Sequence, residues 1–78
     1  MPYGVCKMTL GEYRVGITFN PSGNENVEKI KRAAADLIDL VETLPRIDGE
    51  ASRLIALSQT HIEDAAMWGV KAATKQPR

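Results

Sequence analysis

Residues 27–44, VEKIKRAAADLIDLVETL, decide the fold. Val27, Ile30, Ala34, Leu37, Val41 and Leu44 recur at steps of three and four, the seam by which an amphipathic helix packs on a partner helix. Asn24 or Asn26 is placed to cap its start, just after the turn-forming cluster Asn20-Pro21-Ser22-Gly23-Asn24, and Pro45 ends it. At the rise of an α-helix these residues span roughly 27 Å. The connector Pro45-Arg46-Ile47-Asp48-Gly49 is so short that the next helix must return antiparallel, with Asp48 as its cap. That helix runs to about Thr74, and its seam of Ile55, Ser58, Ile62, Ala65, Gly69 and Ala72 is built mainly from small residues that let two backbones approach closely. Leu54, Leu57, His61 and Trp68 form a second apolar stripe, more than one partner helix covers.

Upstream, residues 1–25 hold four of the six glycines, two of the four prolines and three of the four aromatics, a poor composition for helix. Tyr13, Val15, Ile17 and Phe19 alternate with Arg14, Gly16, Thr18 and Asn20, the period of an extended segment with one buried face. A run from Val5 to Leu10 is placed to pair with it through a turn at Gly11-Glu12, and the whole arm is expected to dock on helices of its own or a neighbouring chain. The expected fold is therefore all-α, an antiparallel two-helix hairpin over residues 26–78 with an extended N-terminal arm over residues 1–25. Its helices fall at about 26–44 and 49–74, joined by residues 45–48.

Ten basic and ten acidic side chains balance, which argues against a general binder of long nucleic acid, whose footprint is strongly basic. One cysteine, Cys6, cannot close an internal disulfide, and with the single His61 it cannot build a structural zinc site. No metal or cofactor is expected. No run approaches the ~20 apolar residues of a membrane span, and Met1-Pro2-Tyr3-Gly4 does not open a signal peptide, so the chain reads as cytoplasmic and without a membrane partner.

Charge order is the most informative chemical feature. The first helix begins with Lys29, Lys31 and Arg32 and ends with Asp36, Asp39 and Glu42, against the preference of its own dipole. In an antiparallel hairpin the cations meet Lys71, Lys75 and Arg78 at one end, beside a helix N-terminus suited to phosphate. The alternative is a solvated patch. Arg53 lies early in the second helix, where a cation gains nothing from the dipole, and is either functional or a surface partner of Glu50. His61 lies on an apolar stripe with no neighbouring nucleophile and reads as a packed histidine. The acidic pairs Glu63-Asp64 and Asp36/Asp39 read as solvated faces, and Cys6 as a bystander. Met67 and Trp68 read as core or oligomer contacts.

Arg53, followed by Ala56-Leu57-Ser58-Gln59-Thr60-His61-Ile62-Glu63-Asp64-Ala65-Ala66-Met67-Trp68, resembles the helix of phage anti-CBASS cyclic-nucleotide sponges. These share a helical-hairpin domain with the Thoeris anti-defence sponges, marked by an arginine, a threonine, an acidic pair and a Met-Trp pair at this spacing. Phe19-Asn20-Pro21-Ser22-Gly23-Asn24 and the helix after it are similar to the N-terminal half of the same domain, so the resemblance covers about residues 13–75. It implies a homo-oligomer, commonly a hexamer, that binds cyclic dinucleotides and in some members cyclic trinucleotides between protomers without cleaving them. The protein would act in the cytoplasm of the infected bacterium, withholding the messenger from CBASS effectors. Carried over by position, the ligand-binding set is Arg53 and Thr60, an aromatic of the arm (Tyr13 or Phe19) with Asn20 beside it, and a lysine of the first helix (Lys29 or Lys31). The rival class is a structural or protein-binding hairpin with no nucleotide ligand. An enzyme that degrades the messenger is disfavoured, because no nucleophile, base and metal constellation is present in the sequence.

A chain of 78 residues buries only about 60% of its unfolded surface, and the second apolar stripe needs a cover, so an assembly larger than a dimer is expected. Light scattering at micromolar concentration checks this; a monodisperse 8.6 kDa monomer would contradict the burial argument.

Overall fold

A computed structural model describes residues 7–77, so Cys6, Arg78 and the start of the expected Val5–Leu10 strand lie outside the described residues. The chain forms three helices, α1 (Leu10–Val15), α2 (Glu25–Glu42) and α3 (Gly49–Ala73), with no strand among the described residues. The antiparallel hairpin is α2 and α3. Asn24 Nδ2, at the start of α2, donates to the Ala73 carbonyl at the end of α3 (3.4 Å), while Gln59 Nε2 donates to the carbonyl of Ile38 (3.3 Å) nearer the connector. Between these two levels Gly69 meets Ile30, where an added Cβ would lie 3.3 Å from the isoleucine Cγ2. The small-residue seam of α3 does admit a close approach there.

Each hairpin helix is capped by a side chain that the turn signals anticipate. Asn24 Oδ1 accepts from the amides of Asn26 (2.8 Å) and Val27 (3.1 Å), and Asp48 Oδ1 accepts from the Ala51 amide (2.8 Å). Beyond α2, the Thr43 hydroxyl donates to the Leu40 carbonyl (2.7 Å), and Arg46 folds back to donate to the Glu42 carboxylate (2.8 Å).

Over its described residues the arm is not an extended strand. Residues 10–15 are helical, and the period-two reading of Tyr13, Val15, Ile17 and Phe19 is overturned by local capping. Thr9 and Glu12 form a capping box: Thr9 Oγ1 accepts from the Glu12 amide (3.1 Å), and Glu12 Oε1 accepts from the Thr9 amide (3.0 Å). Gly16 closes the helix in the left-handed conformation at φ 63°, and the Ile17 amide donates back to the Glu12 carbonyl (3.0 Å). Gly11, weak in an isolated helix, serves packing here. Its missing Cβ lets α1 rest directly on the backbone of α2 at Ala35.

The core also differs from the expected seam. On α2 the buried positions are Val27, Lys31, Ala35 and Ile38, and on α3 they are Ile55, Gln59 and Ala66. Because α2 is covered by α1 as well as by α3, its most enclosed line lies between the two neighbours. Leu37 and Leu44 of the expected seam are left exposed. The second stripe of α3 stands open in the protomer, with Leu54 at 51%, Leu57 at 40% and Trp68 at 61% exposure. His61, read as a packed histidine, is exposed as well. Among the described residues no helix is long and apolar enough to cross a membrane.

Gly11→Ala tests the seating of α1. In a solvated helix the change would stabilise, whereas here the new methyl collides with the Ala35 carbonyl. The expected outcome in thermal unfolding is a loss of about 1–3 kcal/mol. An unchanged or raised Tm would show that α1 does not rest on α2.

Candidate functional site

Polar side chains of α2 hold α1 and the loop after it. Lys31 is 7% exposed, and its ammonium donates to the carbonyls of Gly16 (2.9 Å) and Phe19, with the Phe19 ring centroid 5.4 Å away. Asp39 Oδ1 accepts from the Gly11 amide at the other end of α1 (2.7 Å). Arg32 joins Glu12 (2.9 Å) and Asp36 (2.8 Å). α1 therefore runs antiparallel to α2, its amide end at a carboxylate and its carbonyl end at a cation. The charge order that opposes the dipole of α2 complements that of α1. The order that runs against the dipole of α2 thus serves stability through α1.

The loop between α1 and α2 is clamped by asparagines. Asn20 Oδ1 accepts from the Asn24 amide (3.1 Å), Asn20 Nδ2 donates to the Asn24 carbonyl (2.8 Å), and Gly23 takes the positive φ (62°) that the turn between them needs. The clamp presents Phe19 outward at 71% exposure. Phe19, Asn20, Ser22, Val27, Lys31 and Val70 are among the residues that line a pocket of about 350 Å³. On its other side, Asn20 joins Ile17, Thr18, Lys29, Arg32 and Asp36 along an open groove of about 850 Å³. Lys29 stays at the surface, 3.5 Å from Glu25, in a solvated pair of the kind that contributes little.

A second cluster lies where α1 meets α3. Arg14 Nε donates to Glu63 Oε1 (2.8 Å), and its Nη2 donates to Thr60 Oγ1 (3.3 Å). Arg14, Val15, Lys31, Glu63, Met67 and Val70 are among the residues around a depression of about 200 Å³. Arg53, Thr60 and Met67 are seven residues apart in turn, so they follow one stripe of α3. Arg53 itself is gripped by Glu50 (3.0 and 2.8 Å) near the connector, both side chains being about 60% exposed. The fork raises the Arg53 pKa and lowers that of Glu50.

Of the expected site residues, the fold brings Phe19, Asn20 and Lys31 to one pocket, with Lys29 on the adjoining groove. Thr60 stands at the Arg14 cluster, and Tyr13 is 75% exposed on α1. Arg53 is not brought to either; it lies roughly 26 Å along α3 from Val70, which lines the Phe19 pocket. The expected gathering of six cations is corrected. Lys31 points inward, Arg32 is paired, and Arg78 lies outside the described residues, leaving Lys29, Lys71 and Lys75 at the surface. Asn24 already occupies the Asn26 and Val27 amides of α2, so they do not stand ready for phosphate. The acidic pairs are also more than solvated faces, since Asp39 and Glu63 tie α1 down. Arg14 and Gln59 escaped sequence reasoning; the Thr9-Leu10-Gly11-Glu12 capping signal would have exposed the first by marking a helix there. Among the described residues no group of three or more His, Cys, Asp or Glu side chains is placed to hold a metal ion.

Residues 12–74 match the family described as Acb2/Tad1, hairpin domain. The match takes in most of α1, the clamped loop, α2 and α3. No curated protein and no solved structure matches the chain.

Two carboxylates that hold this frame titrate below the usual range. Glu12 is lowered first by the Arg32 hydrogen bond and then by the Thr9 amide, and Glu42 first by Gln59 and then by Arg46. A folded pKa below the unfolded value means that the contribution is complete above about pH 4.3 and drains away as pH falls through the folded pKa. Acid titration followed by amide hydrogen exchange should therefore open α1 and the connector first. Protection that vanishes everywhere at once would contradict this.

Proposed function

The chain belongs to the Acb2/Tad1 hairpin-domain family, the anti-CBASS and anti-Thoeris sponges, and on that premise we propose that it binds cyclic dinucleotide messengers, and cyclic trinucleotides in addition, and withholds them uncleaved from CBASS effectors in the cytoplasm of the infected host. Sponges of this family sequester cyclic oligonucleotides. The observation that carries the proposal is the family match over residues 12–74.

Physical features support the same reading. A cyclic dinucleotide offers two phosphates and two base faces, so its pocket needs donors and flat side chains together. Phe19, with Asn20 and Lys31 beside it, and Tyr13 on α1 supply exposed rings, and stacking contributes about 1–3 kcal/mol per base. Arg53 supplies a planar fork whose present partner, Glu50, is equally exposed and easily exchanged for a phosphate. Lys29 is the cation on the open groove that is free to move toward an anion. Thr60 adds a hydroxyl on the Arg53 stripe.

No protomer alone brings Arg53 to the Phe19 pocket, so a ligand that used both would take them from different chains. The open residues Leu40, Leu54, Leu57 and Trp68 give such chains an apolar surface to share. The reading therefore calls for a homo-oligomer, with a hexamer as the expected size.

Calorimetric titration against a panel of purine cyclic di- and trinucleotides tests the proposal. Tight binding is expected, with intact ligand recovered after the complex is heated; linear product would mean cleavage, and no binding across the panel would sink the reading. Arg53→Ala should weaken one class of ligand by at least about tenfold while leaving the oligomer mass unchanged. Unchanged affinity for every ligand would remove Arg53 from the site.

A further inference from the structure

A hydroxyl on a helix or at its end can turn back to donate to a carbonyl three or four residues earlier. Ser58 does so to Ile55 (2.9 Å), and Thr74 to Val70 (2.8 Å). Thr60 does not. Its Oγ1 instead accepts a hydrogen bond from Arg14 Nη2, and among the described residues its own hydrogen has no acceptor. A guanidinium can only donate, so Thr60 Oγ1 is the acceptor in this contact, with one lone pair engaged and its hydrogen left to donate elsewhere. With that lone pair taken by Arg14, the O–H is available to a group outside the protomer. Glu63 holds the guanidinium through Nε in a partly enclosed pair, with side-chain exposures of 22% for Arg14 and 34% for Glu63.

From this arrangement we infer that Arg14 is a positioning residue for ligand recognition: by donating to Thr60 Oγ1 it presents the Thr60 hydroxyl as a hydrogen-bond donor, selecting a ligand atom that accepts. The inference rests on the sponge reading for the identity of the ligand, but the orientation of Thr60 does not. Arg14 acts through Thr60, and Glu63 acts through Arg14. The atom recognised is an acceptor, either a phosphodiester oxygen or a ring nitrogen or carbonyl of a base.

A double-mutant cycle in the full-length oligomer tests this. In titrations with the same purine cyclic nucleotides, Arg14→Gln and Thr60→Val should each weaken binding about five- to tenfold, and the double variant should be no weaker than Thr60→Val alone. Multiplying losses would mean that Arg14 acts independently of Thr60, which overturns the inference. Thr60→Ser should restore affinity, since it keeps the hydroxyl. Glu63→Gln leaves Arg14 and every tie between α1 and α2 in place, so it guards against misfolding of the Arg14 variant, and a loss of about two- to threefold is expected from it. A Thr60→Val loss of equal size for all ligands assigns the acceptor to the phosphodiester, and one that follows the base assigns it to the base. Coupling constants to the Thr60 methyl supply a readout without ligand: a single rotamer in the parent should become mixed in Arg14→Gln. If the parent binds nothing while that rotamer change appears, the sponge reading fails and the positioning stands. If the rotamer is unmoved, the positioning fails whatever binds.

Discussion

The Lys31 ammonium, almost sealed from solvent and bonded to the carbonyls of Gly16 and Phe19, is the contact on which the N-terminal side of the molecule depends. A buried charge is tolerated only where dipoles or counter-charges replace water. Here the replacement is the carbonyl end of α1 and the loop that leaves it. Asp39 does the converse at the amide end of α1. The two contacts fix the direction of α1, and that direction places Arg14 against α3 and Phe19 at the rim of a pocket.

This explains what the sequence disclosed and what it withheld. The hairpin was legible because three independent signals agreed: the three-four spacing from Val27, the caps at Asn24 and Asp48, and the stop at Pro45. α1 was not read as a helix, because the arm around it is rich in glycine and six residues are too few for periodicity to speak. A local capping box marks its start, and what holds it is tertiary, a glycine needed for contact and a carboxylate and a cation on another helix. The buried line of α2 was displaced for the same reason, since a two-helix picture has no place for Lys31 in a core.

The candidate site was partly legible. Motif positions such as Arg53 and Thr60 stood out through resemblance, and Lys31 through charge. At two of these positions the chemistry came from neighbours far along the chain, Lys31 being engaged by carbonyls of the preceding loop and Thr60 by an arginine of α1, whereas Arg53 is engaged by nearby Glu50. Only the last of these could be read from spacing. Gln59 illustrates the limit further. It is a polar residue beside an apolar seam, and only the antiparallel return of α3 shows that its amide satisfies both the Ile38 carbonyl and the Glu42 carboxylate.

The brevity of α1 bears on the order in which the molecule assembles. Six residues cannot sustain a helix alone, because nucleation costs more than so few hydrogen bonds return. The hairpin, by contrast, is made of long helices joined by a short connector, a topology that folds fast through local contacts. α1 can only condense afterward, on an α2 already presenting Lys31 and Asp39. The rim that carries Phe19 and Arg14 is thus expected to be the last region to become structured and the first to open, while the hairpin serves as its stem.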